Sequence, residues 1–175
     1  RLVVARLSWN QKGKWNMSLF ENPVYRWRET YFILFESEHR PSLELIQESL
    51  GQLETSYHAE EMGDDGQGHM ESLTLISPSD FAAMDIIYLA GEEIPLQVDE
   101  LKQELDFGSL TDEEQEQAAR LDACDARYEV FHFEQMGAID EEEGFLDPGA
   151  LLMVLEQLAE LCDGVVIDPQ SGGFV

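Results

Sequence analysis

Few side chains in this chain combine the type and the spacing that chemistry needs. His58, Glu61, Asp64, Asp65 and His69 mix imidazole with carboxylate inside twelve residues, a donor set that transition metals accept. Gly63, Gly66 and Gly68 run through the same stretch, and a metal site needs ligands held rigidly. The segment therefore reads as a solvated loop, with no metal or cofactor assigned. His132 stands between Phe131 and Phe133, and strand alternation places it with Tyr128 and Val130. Oriented by Glu134 or by a carboxylate from a neighbouring strand, it would serve as a general base; left alone, it is a packed ring. Glu36, Glu38 and His39 close a strand, where solvation explains them as well as acid and base roles do.

Other chemistries lack their parts. A phosphate cradle needs glycines opening a helix, and the glycines here sit beside Asp64 and Asp65, whose charges repel an anion. No Walker sequence, HExxH, GxSxG or kinase set is present, and neither the Asp64 loop nor the run Glu141, Glu142, Glu143 has the register of a calcium loop. No residue is assigned as catalytic. Cys124 and Cys162 are the only cysteines, without a CxxC or a disulfide framework, and read as reduced thiols in a cytoplasmic protein. Cys162 follows Leu155 and Leu158 at helical spacing and reads as a small core residue.

What the sequence has in excess is negative charge. Residues 1–40 carry seven Lys and Arg against four acids, whereas residues 41–175 carry three bases against thirty-three acids, for a net charge of −27. Nucleic acid and anionic membrane surfaces are therefore not expected partners, since binding to phosphates depends on Lys and Arg. A basic protein partner is compatible. Trp9, Trp15, Tyr25 and Trp27 lie near Lys12, Lys14, Arg26 and Arg28; pairing of this cationic stretch with the acidic body accounts for it better than base stacking does. No apolar run reaches the length needed to span a bilayer.

The elements that would position these residues can be read from periodicity. Residues 1–175 are expected to form a single domain, with an N-terminal hairpin and connector over 1–28 and a strand-helix body over 29–175. The hairpin pairs Leu2 to Trp9 with Trp15 to Phe20. Tyr31 to Glu36 is the strongest strand, and Leu43, Ile46, Leu50 and Leu53 mark one helical face after Pro41. Leu73 to Ile76 predicts a strand; Ser79 to Ala90 fits strand or helix. Val98, Leu101 and Leu105 predict a helix, and Thr111 with Glu114 a capped one. Glu60 to Met70 and Gly137 to Gly144 read as surface loops. Tyr128 to Phe133 predicts a strand, then a helix from Asp147 and Pro148 to Gly164, then a strand Val165 to Ile167. This alternation implies an α+β layered sandwich of ferredoxin-like plan, with helices on one side of a mostly antiparallel sheet. Tyr31, Ile33 and Phe35 are apolar on one face of their strand, and Phe32 and Leu34 on the other. More chain, or the second subunit of a homodimer, must cover the far face.

The closing segment Leu158 to Phe174, LAELCDGVVIDPQSGGF, resembles the ends of several uncharacterised bacterial α+β proteins, among them families grouped with toxin-immunity proteins. That resemblance implies a noncatalytic bacterial protein and carries over no functional residue. The expectation is a noncatalytic acidic module that recognises a basic protein through Asp64, Asp65, Glu113, Glu114, Glu116, Asp140, Glu141, Glu142 and Glu143. The alternatives are a small hydrolase or metal-assisted enzyme using His132 or the His58 to His69 loop, and a self-associating structural subunit.

Overall fold

A computed structural model describes residues 18–137 and 148–175. Among the described residues seven strands form one antiparallel sheet: β1 (Tyr25–Phe35), β2 (His58–Asp64), β3 (Met70–Ser77), β4 (Ala82–Ala90), β5 (Ala126–Gln135), β6 (Val165–Asp168) and β7 (Gly173–Phe174), in the order β2-β3-β4-β5-β1-β6-β7. Four described helices accompany it: α1 (Leu43–Gly51), α2 (Glu93–Glu104), α3 (Asp112–Arg120) and α4 (Gly149–Cys162). The α+β class and the antiparallel sheet are as the sequence implies. The ferredoxin-like sandwich is not confirmed, because this sheet is large and open and carries helices on both faces.

The second apolar face explains that difference. Side chains alternate along a strand, so Ile33 and Phe35 of β1 point to one side and Leu34 to the other. On the first side they join Met84, Ile86, Tyr128 and Val130 beneath Ile46 of α1 and Leu151, Leu155 and Leu158 of α4. On the other side Leu34, Val165 and Ile167 pack against Ile94 and Val98 of α2 and against Leu121 and Cys124. A smaller cluster on that side sets Leu19 against Ala83 and Phe133. The chain thus covers both faces of its central strands with its own helices, at about 25 cal/mol for each Å² of apolar surface removed from water.

Local signals decide where the elements begin and end. The Ser42 hydroxyl accepts from Leu45 N–H at 3.2 Å and caps α1, one residue after the Pro41 that the sequence offers as its start. Thr111 and Glu114 form both bonds of the expected capping box on α3. Ser79 to Ala90 resolves into a turn and β4, with Phe81 at φ 51°. Glu60 to Met70 is not a loop throughout: residues 58–64 form β2, an exposed outer strand with no apolar alternation to announce it. Leu19–Glu21 is a 3-10 turn where periodicity predicts the end of the second hairpin strand; the rest of that hairpin lies outside the described residues, as do residues 138–144 of the expected loop and the Asp147 cap.

The exit from α4 is closely packed. Asp163 takes the left-handed conformation at φ 52° and caps the helix, where the sequence points to Gly164. Gly164 serves packing instead: a Cβ there would lie 2.8 Å from Ile33 Cγ2, 3.0 Å from Cys162 Sγ and 3.2 Å from the Leu34 carbonyl oxygen. Gly164→Ala is therefore expected to lower stability by about 1–3 kcal/mol, the usual cost of overpacking, seen as a lower urea midpoint at unchanged slope.

Candidate functional site

The described cations of this chain are all engaged. Arg26 and Arg28 both reach Glu134, at 2.6 and 3.1 Å; Arg40 pairs with Asp65, Lys102 with Asp122, Arg120 with Asp163, and Arg127 with Glu129. These six are every Lys and Arg among the described residues, and they occupy five of the thirty-two acids there, leaving twenty-seven without a described Lys or Arg partner. Residues 92–122 hold eleven acids against Lys102 and Arg120. This stretch spans α2 and α3, whose described carboxylates border the face opposite α1 and α4.

The expected contact residues fall into different surroundings. Glu113 and Glu116 are exposed on α3. Glu114 is turned inward to accept from the Thr111 N–H at 2.7 Å and hydroxyl at 2.9 Å, bonds that hold its carboxyl below the usual range. Asp64 is exposed and accepts from Gly66 N–H at 3.0 Å. Asp140, Glu141, Glu142 and Glu143 lie outside the described residues.

Asp65 is the centre of an internal polar cluster. Partial burial pushes its carboxyl up, but the Gln67 and His69 N–H groups, at 2.8 and 3.1 Å, together with Arg40, outweigh that and hold it low. The Arg40 guanidinium donates to Asp65 at 3.1 Å and to the Met70 carbonyl oxygen at 2.6 Å, and lies 3.6 Å over the Tyr88 ring. Tyr88 in turn meets Phe35 and Tyr128. This cluster ties the β2–β3 turn to the start of α1 and the centre of the sheet. Arg40 is the only Lys or Arg between Arg28 and Lys102, and that isolation among acids is the one sequence signal that singles it out.

His132 is buried on the α1 and α4 side of the sheet. Its Nδ1 lies 3.0 Å from Glu29 Oε1, and its Nε2 lies 3.5 Å from the Tyr57 hydroxyl. The orienting carboxylate comes from the neighbouring strand β1, across the register pair Glu29–His132, rather than from Glu134, which receives the two arginines. Burial lowers the His132 pKa, against the pull of Glu29, and burial raises that of Tyr57. The ring is neutral near pH 7, with a partner at each nitrogen. Such an arrangement positions a histidine and leaves it no free nitrogen for a substrate.

The remaining candidates are not drawn together. Antiparallel pairing sets His58 opposite Ile76 and Asp64 opposite Met70, so His58 and His69 stand at opposite ends of the β2–β3 hairpin, about 20 Å apart at strand spacing. Among the described residues no group of three or more His, Cys, Asp or Glu is placed to hold a metal. Glu36 is exposed beside the 3-10 turn Ser37–His39, whose Ser37 binds Asp125. Cys124 and Cys162 are buried and unpaired, their thiols pushed up by burial to about 11 and about 12. No described helix is long and apolar enough to cross a membrane.

Comparison with known proteins adds no assignment: no family model, no curated protein and no solved structure matches this chain.

The His132 geometry has a pH consequence. A histidine whose folded pKa is lowered binds its proton more readily in the unfolded chain, so stability falls as pH drops through the unfolded value of 6.5. His132→Gln is expected to flatten that part of the curve. The check is the difference in urea unfolding free energy between the two proteins from about pH 7.5 to about pH 5.

Proposed function

We propose that this chain is a noncatalytic acidic binding module that recognises a basic protein, in the manner of an immunity protein or antitoxin. One observation carries the reading: every described Lys and Arg is already held by a carboxylate, and twenty-seven described acids have no such partner. A surface on which acids outnumber bases this heavily, with its half-exposed Arg26 and Arg28 gathered on Glu134, attracts a cationic partner at long range and orients it on approach. The α2 and α3 stretch is rich in such groups, with Glu113 and Glu116 exposed on α3. The C-terminal resemblance to bacterial proteins grouped with immunity proteins agrees with this reading.

A reaction centre has less to rest on. His132 is enclosed by Glu29 and Tyr57, and the histidines of the 58–69 segment are held apart. Self-association through a bare sheet face also loses its motive, since helices and the Leu19–Glu21 turn lie over both faces of the central strands.

Affinity capture from the source cells, with the chain as bait at low salt, is expected to recover a basic protein that high salt releases. Glu113→Lys combined with Glu116→Lys should slow its association about tenfold and reduce the dependence of the rate on salt. Reversal of Glu141, Glu142 and Glu143 is expected to act in the same direction. A partner whose association rate ignores both salt and these substitutions would contradict the reading.

A further inference from the structure

We infer that the open edge of β2, with the cleft beside it, receives a strand of the partner in which apolar residues alternate with lysine or arginine. The inference rests on the acidic-module reading and adds the chemistry of the contact segment. Among the described residues β2 is hydrogen-bonded only to β3, so no described strand pairs with its outer row of amides and carbonyls. Main-chain pairing to such an edge supplies affinity, and alternate side chains supply specificity.

The two sides of β2 differ. Ala59 and Met62 stand opposite Leu75 and Leu73 and share their side of the sheet, where Met62 meets Gln47 of α1. A cleft of about 290 Å³ opens there between α1 and β2, over Ile46, Leu73, Leu75 and Val154. Glu61 stands opposite Thr74 and shares the other side. Residues 41–64 contain six acids and no Lys or Arg, and none of the six has a described Lys or Arg partner.

An added strand therefore meets apolar surface with one set of side chains and carboxylates with the other. A wholly cationic segment would leave the cleft wet, and a wholly apolar one would leave the charges uncompensated; alternation satisfies both. A second copy of this edge is a poor occupant, because it would set the same carboxylates against one another. The bulges between Ala59 and Glu61 and between Gly63 and Asp64 confine regular pairing to a short stretch and fix its register.

The test is titration of a capped peptide of about nine residues, alternating lysine with valine, into the isotope-labelled full chain. Saturable binding is expected, with the largest amide shifts over residues 58–64 and at Leu50 and Tyr57. A lysine–serine peptide of equal charge, and a lysine–valine peptide N-methylated along one edge, should each bind at least about tenfold more weakly. Glu60→Lys with Glu61→Lys should weaken binding to a similar extent, and Glu113→Lys with Glu116→Lys should leave it within about twofold. Equal binding of the lysine–serine peptide, no saturable binding, or shifts centred on α2 and α3 would overturn the inference. Shifts centred on α2 and α3 would leave the acidic-module reading standing, whereas a captured partner indifferent to salt would remove that reading and spare a purely main-chain edge contact.

Discussion

Compensation of charge is the constraint on which the rest of this structure depends. With thirty-seven acids and ten bases, the folded chain brings together groups that repel one another, and each described Lys and Arg is paired with a carboxylate. Arg26 and Arg28 bridge β1 to β5, Arg120 joins α3 to the end of α4, and Arg40 joins the β2–β3 turn to the aromatic centre of the sheet. Exposed pairs of this kind contribute about 0–1 kcal/mol each, so their value here is chiefly placement. Arg40 and Arg127 are largely enclosed, whereas Arg26, Arg28 and Arg120 stay about half exposed beside their carboxylates, so the described surface is dominated by acids without being free of cations.

The fold tolerates this because its stability comes from elsewhere. Two apolar layers sandwich the sheet, and the central strands β1, β4 and β5 supply side chains to both. Many carboxylates lie on the helix exteriors, on the outer strand β2 and in turns, whereas the half-buried Glu29, Asp85 and Glu134 of the central strands are each held by side-chain or backbone donors. Glu129 is the exception among the buried residues, and Arg127, also buried, accompanies it. The Arg127 guanidinium lies 4.2 Å from the Phe32 ring, so this pair is packed as well as neutralised.

Much of the architecture is legible in the sequence because apolar periodicity marks buried elements. Tyr31 to Phe35, Tyr128 to Phe133 and the stripe Leu151, Leu155, Leu158 announce two central strands and the longest described helix. What stays hidden is exposed. Residues 25–30 extend β1 although Arg26, Arg28 and Glu29 interrupt any apolar pattern, and β2 reads HAEEMGD with nothing to bury. The site is less legible still. Asp64 and Asp65 look alike in sequence, yet one is solvated and the other anchors Arg40; Glu113 and Glu114 are neighbours, yet only the second is consumed by a helix cap. Such differences come from partners distant in the chain or from cap geometry, which composition does not report. The Glu29 to His132 contact likewise follows from strand order and register, which a single sequence leaves open.

The central claim is that unpaired carboxylates form an outward field of one sign, strongest over α2 and α3. It is tested most directly by comparing, amide by amide, the relaxation caused by a cationic and by an anionic nitroxide probe at low salt. The expected result is that the cationic probe acts more strongly over the whole described surface, with the largest ratio across residues 92–122 and convergence of the two probes as salt is raised. A ratio near one, or one uniform over the surface, would contradict it.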